Sequence, residues 1–92
     1  MATVASNAIV FHEHGGAEVL KWERREVAAP ARGEVQLRHT AIGVNFIDIY
    51  DRSGLYPRTL PEVPGREAAG VVVALGAGVR GLKVGQRVAY VL

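Results

Sequence analysis

Apolar and polar positions alternate most regularly from Glu34 to Ala41, where Val35, Leu37 and Ala41 fall on one side and Gln36, Arg38 and Thr40 on the other. A period of two is the signature of a strand with one buried face. Ahead of it, the breakpoints Gly15-Gly16 and Pro30-Ala-Arg-Gly33 set off Val19 to Val27, in which Leu20 and Trp22 stand at strand spacing. An earlier strand is predicted over Ala8 to Phe11. After Gly43 the period changes: Phe46, Ile47, Ile49 and Tyr50 recur at one-, three- and four-residue intervals. This predicts a short helical turn between Asn45 and Arg52, with Asn45 placed to cap it. Pro57, Pro61 and Pro64 each lack an N–H and disfavour a helical residue before them, so Gly54 to Gly65 is predicted as an extended loop. Ala69 to Leu75 is an uninterrupted apolar run and Arg87 to Leu92 a second β-branched stretch; both are predicted as buried strands. The order of elements predicts an antiparallel barrel or curled sheet.

A chain of 92 residues has room for one domain, and a domain of this size removes only about 60 to 65% of its extended-chain surface from water on folding. With 49% hydrophobic and 22% charged residues, and 11 glycines spread along the chain, the balance favours a folded β-rich domain over a disordered tail. Basic residues exceed acidic ones by only 11 to 9 and are scattered rather than striped, which argues against a nucleic-acid partner. The absence of cysteine removes disulfides, thiolate zinc sites and thiol catalysis, and leaves packing to stabilise the fold. The start, MATVASNAIVF, lacks the basic and apolar regions of a secretory signal, and no apolar run approaches the ~20 residues of a spanning helix. No membrane partner and a cytoplasmic location are therefore expected. Val88 to Leu92 are apolar with no polar tail, so the chain is expected to stop short of a further domain.

Gly76-Ala-Gly78-Val-Arg-Gly81 fits G-x-G-x-x-G and follows a predicted strand, the context of a dinucleotide-binding fingerprint. A fingerprint of that kind opens a helix and is followed by an acidic residue about 20 positions on. Here Leu82-Lys-Val-Gly85-Gln-Arg-Val88 opposes a helix and no acidic residue follows Glu67, so the glycines are expected to serve a turn between strands. His12, His14 and His39 make a candidate metal triad, for which solvated imidazoles are the preferred reading. Glu67, beside Arg66 at the start of a buried strand, is expected in a structural ion pair with an arginine, or bound to backbone amides, rather than acting as a base.

Asn45, Asp48, Tyr50 and Tyr56 gather an amide, a carboxylate and two phenols within a dozen residues, flanked by Phe46 and Ile47. Such groups can orient a planar carbonyl compound through hydrogen bonds and aromatic contacts. They equally suit a helix cap, a surface carboxylate and two packing tyrosines, and residue chemistry leaves both readings open.

Four blocks read together. They are His12-Glu-His-Gly-Gly16 with Glu18-Val-Leu20; Ala41-Ile-Gly-Val-Asn-Phe-Ile-Asp48 with Tyr50, Arg52, Ser53-Gly54 and Tyr56; Pro64-Gly65 with Glu67-Ala-Ala-Gly-Val71; and Gly76 with Gly78-Val79, Lys83-Val-Gly85 and Arg87-Val88. In this order they resemble the amino-terminal part of zinc-independent quinone oxidoreductases of the medium-chain dehydrogenase/reductase superfamily. The resemblance implies a mainly β, GroES-like, partly closed β-barrel catalytic domain with a short helix over residues 1–92. In that family a Rossmann domain follows and binds NADPH, the active site lies between the two, and the complete enzyme is a homodimer. By the same resemblance, Phe46, Ile47, Asp48, Ile49 and Tyr50 lie against the nicotinamide, and Asn45, Asp48, Tyr50 and Tyr56 line the pocket for a quinone or other small carbonyl substrate.

Zinc-dependent relatives carry a cysteine near the Asn45 position and a histidine at the Arg66 position, so the resemblance implies no zinc. Gln86 departs from the aspartate usual before Arg87. An alkenal or enone reductase of the same superfamily and a co-chaperonin-like protein are the alternatives. The 92 residues alone are expected to be inactive.

Overall fold

The computed structural model describes residues 3–92. Strand β1 (Val4–Val10) pairs antiparallel with β2 (Lys21–Val27), placing Val4 opposite Val27 and Ile9 opposite Trp22. The first strand thus begins well before Ala8, and Phe11 lies beyond it in an isolated bridge to Glu62. A 3-10 turn, Ala17–Val19, takes the start of the stretch predicted as one strand, and β2 begins only at Lys21. Trp22 is exposed on the resulting hairpin.

The second sheet is antiparallel, with β4 (Glu67–Leu75) central between β3 (Val35–Ile42) and β5 (Arg87–Val91). Two register shifts along β3, at Gln36/Leu37 and His39/Ala41, bend that edge. The second also breaks the alternation read from the sequence, leaving Ala41 and Ile42 exposed. Strand β4 keeps a period of two despite its unbroken apolar sequence, burying Ala68, Gly70 and Val72. Strand β5 corrects the expectation of a buried strand. Among the described residues it has β4 on one side only, and its residues are exposed or half-buried. The curled-sheet reading holds, although the two sheets stay open among the described residues.

The core is Val10, Phe11, Val19, Ala68 and Val72, drawn from the end of β1, the 3-10 turn and β4. It is small, and the molecule is spread out. The accessible surface of 6577 Å² exceeds the about 5,200 Å² expected of a monomer of 9.9 kDa. A radius of gyration of 14.5 Å likewise exceeds the about 12 Å of a compact 92-residue domain. Between β3 and β4 runs the predicted helix, α1 (Phe46–Ser53), and then the proline-rich loop to Arg66. No helix is long and apolar enough to cross a membrane among the described residues.

Candidate functional site

Helix α1 starts at Asn45, whose extended backbone (φ −130°, ψ 158°) turns the chain in, and whose N–H donates to Asp48 Oδ2 at 2.9 Å. A carboxylate in the first turn also suits the positive end of the helix. The helix stops at Gly54, which takes the left-handed conformation (φ 89°) against the ring of His14. At 3.6 residues per turn, Phe46, Ile49, Tyr50 and Ser53 share one face, and Ile47, Asp48, Asp51 and Arg52 the other. The first face is exposed and the second is turned inward. The helix is therefore inside out, with aromatic and aliphatic groups toward solvent and three of its charged groups toward the protein.

On the outer face Phe46 is 78% exposed, and Tyr50 meets Tyr56 edge-on at 5.8 Å between ring centres, with the planes at 84°. The Tyr56 N–H donates to the Tyr50 carbonyl at 3.3 Å, which ties the loop back to the helix. The same loop is anchored by paired backbone bonds between Phe11 and Glu62, at 2.9 and 3.0 Å. Arg58 grips the Glu62 carboxylate through Nε and Nη2 at 2.6 to 3.0 Å. That hydrogen bonding, and then the charge of Glu62, raise the Arg58 pKa above its ordinary value.

The six positions from Asn45 to Tyr50 and Tyr56 are thus close in space but not equivalent. Phe46, Ile49, Tyr50 and Tyr56 form an outward surface. Ile47 is half-buried behind it, Asn45 is exposed at the helix start, and Asp48 faces inward with Oδ1 buried and, among the described residues, without a hydrogen-bond partner. Two concavities lie elsewhere. One of about 680 Å³ is lined by Val27, Pro30, Leu37, His39, Val88 and Tyr90 among others, and one of about 470 Å³ by Gly81 to Val84 and Gln86. Neither concavity is lined by the helix, which presents one wall.

Sequence reasoning missed one group central to the helix, and misassigned the partner of Arg66. Asp51 is buried on the inner face and receives Arg66, whose Nη2 lies 3.0 and 2.8 Å from Oδ1 and Oδ2 and whose Nε lies 3.2 Å from Oδ2. The ion pair expected of Glu67 is thus formed by its neighbour, while the Glu67 side chain lies against the backbone of Gly43 with no ion-pair partner among the described residues. The usable signal was helical spacing: Asp51 falls three residues after Asp48 on one face, and an arginine stands just before the apolar run.

The candidate histidine triad is dispersed. His12 pairs with Glu23 and His39 with Tyr90, while His14 Nδ1 lies 3.2 and 3.4 Å from the Asp51 and Arg52 carbonyls and so carries the hydrogen there. No cluster of three or more potential metal ligands occurs among the described residues. The run from Gly76 to Gly81 forms the turn linking β4 to β5, with Gly78 and Gly81 at φ 79° and 81°, and no helix follows it among the described residues. It offers no helix N-terminus to a pyrophosphate.

Residues 31–91 match the alcohol dehydrogenase GroES-like domain, and the chain belongs to that family. Within it, the chain is similar to oxidoreductases. It is 53% identical over 83 residues to quinone oxidoreductase 1 of Escherichia coli K12, an alignment spanning 89% of this chain and 25% of that protein. It is 47% identical over 85 residues to 2-haloacrylate reductase of a Burkholderia species, spanning 88% of this chain and 26% of that protein. The crystal structure of E. coli quinone oxidoreductase complexed with NADPH superposes with a TM-score of 0.91 at 50% identity, over 94% of this chain and 27% of that one. The chain therefore spans about a quarter of the length of these relatives.

Proposed function

We propose that residues 1–92 supply the GroES-like catalytic portion of an NADPH-dependent quinone oxidoreductase, which transfers hydride to a quinone. The observation that carries this reading is the inside-out helix: Phe46, Ile49 and Tyr50, with Tyr56, offer an aromatic and aliphatic surface to solvent. Such a surface suits a planar ring and the flat face of a nicotinamide. The similarity to quinone oxidoreductases supports it.

In this reading the outer face orients the substrate ring, and Asn45, Tyr50 and Tyr56 donate hydrogen bonds to carbonyl oxygen as negative charge develops there. Asp48 holds the helix start and, from behind with Ile47, the contour of the surface. When bound, NADPH supplies the hydride; a proton from solvent or a phenol completes the hydroquinone. The main cofactor site lies outside these residues, since the glycine turn cannot form it. A guanidinium fixed at Arg66 is a poor neighbour for a divalent cation, which supports zinc independence. The complete protein is proposed to be cytoplasmic and homodimeric, and the 92 residues alone to be inactive.

A second reading, reduction of an activated alkene, is favoured by the similarity to 2-haloacrylate reductase. Turnover of 1,4-benzoquinone and of an α,β-unsaturated aldehyde with NADPH by the complete protein separates the two. Faster turnover of the quinone is expected. Turnover of neither, or a ring-shaped assembly by native mass, sinks the oxidoreductase reading.

A further inference from the structure

Asp51 is the one charged side chain that is buried among the described residues, with 4% of its surface exposed. Arg66 approaches it side-on through Nε and Nη2, so that one guanidinium edge meets both carboxylate oxygens at 2.8 to 3.2 Å. The rest of the seat of α1 is polar as well. The Gly15 N–H donates to the Arg52 carbonyl at 3.0 Å, and Arg52 Nε returns a bond to the Gly15 carbonyl at 3.2 Å. His14 Nδ1 reaches the Asp51 and Arg52 carbonyls. On the inner face only Ile47 is apolar.

This arrangement opposes the ordinary preference of a short amphipathic helix. Apolar attraction has no direction, and acting alone it would roll Phe46, Ile49 and Tyr50 toward the rest of the protein. A two-point guanidinium–carboxylate contact does have a direction, because planar donors and acceptors meet correctly at one rotation only. We propose that the Asp51–Arg66 pair is a rotational lock on α1: it holds the apolar face outward and makes Asp51 and Arg66 positioning residues for the reaction. Without the lock, Tyr50 and Phe46 lose their angle to the substrate ring while the fold persists. The inference rests on the oxidoreductase reading for its kinetic consequence, but not for its structural one.

The test replaces the pair by apolar groups of similar size, Asp51→Leu with Arg66→Met, in the complete protein. Exchanging a buried ion pair for hydrophobic residues is commonly neutral or stabilising, so Tm is expected to hold. Displacing the helix is expected to lower kcat for 1,4-benzoquinone on the order of tenfold and to speed amide exchange over residues 45–53. Arg66→Lys keeps the charge without the fork and is expected to fall between. A merely structural pair would leave kcat of the folded enzyme, and amide exchange over residues 45–53, unchanged whatever the Tm. Wild-type kcat or unaltered exchange in the double variant overturns the lock; should that variant fail to fold, the same result in Arg66→Lys overturns it. Absence of quinone turnover in the wild type overturns the functional reading instead, and exchange alone then decides the lock.

Discussion

Strand β4 and helix α1 each carry apolar residues on one side and stand in opposite relation to water. In β4, Ala68 and Val72 are buried, as are Val10, Phe11 and Val19, in keeping with the burial of apolar area. In α1, Phe46, Ile49 and Tyr50 face outward while Asp48, Asp51 and Arg52 turn in. The same physical preference built the first and was overridden in the second by directional polar contacts. The buried apolar residues lie largely in the strands, and the outward face of the helix is the region proposed for chemistry.

A pair of phenylalanines gives the sharpest way to break this contrast, with two intermediate changes between them. Phe11 is fully buried, so Phe11→Ala is expected to cost about 3 to 5 kcal/mol of stability by chemical denaturation of the complete protein. Asp51→Ala leaves Arg66 without its partner. Because Arg66 retains 30% side-chain exposure and can partly rehydrate, the expected loss is about 2 kcal/mol, below that of a fully buried pair. Tyr50→Phe is expected to leave Tm unchanged and to reduce kcat/KM for quinone by about tenfold, equivalent to about 1.4 kcal/mol of transition-state binding. An unchanged kcat/KM would remove Tyr50 from the site. Phe46→Ala is expected to alter stability by less than about 0.5 kcal/mol while raising the KM for quinone. A destabilisation matching that of Phe11→Ala would mean that the outer face is packed rather than functional.

Much of this was legible in the residues. The alternation at Val35 to Leu37, the apolar run of β4, the change of period after Gly43 and the punctuation by Pro57, Pro61 and Pro64 located β3, β4, α1 and the loop. Refusing the glycine motif also agreed with the turn that forms there. What failed was whatever depended on neighbours. Whether β5 is buried depends on which strands flank it, and Ala41 lost its inward position to a register shift. Arg66 chose Asp51, fifteen residues away, over adjacent Glu67. Residues 45–50 formed one cluster in sequence, and only the helical turn divides them into a presented surface and a seat.

The unpaired side of β5 has a practical consequence for anyone handling these residues. Among the described residues no strand lies on the outer side of β5, so its edge presents a row of backbone donors and acceptors beside Val91 and Leu92, which are 75% and 83% exposed. Such a row is a template on which another strand can add. Prepared as a 92-residue polypeptide, the chain would be expected to self-associate edge to edge and to lose solubility with concentration. A single lysine at Val91 would be the economical remedy.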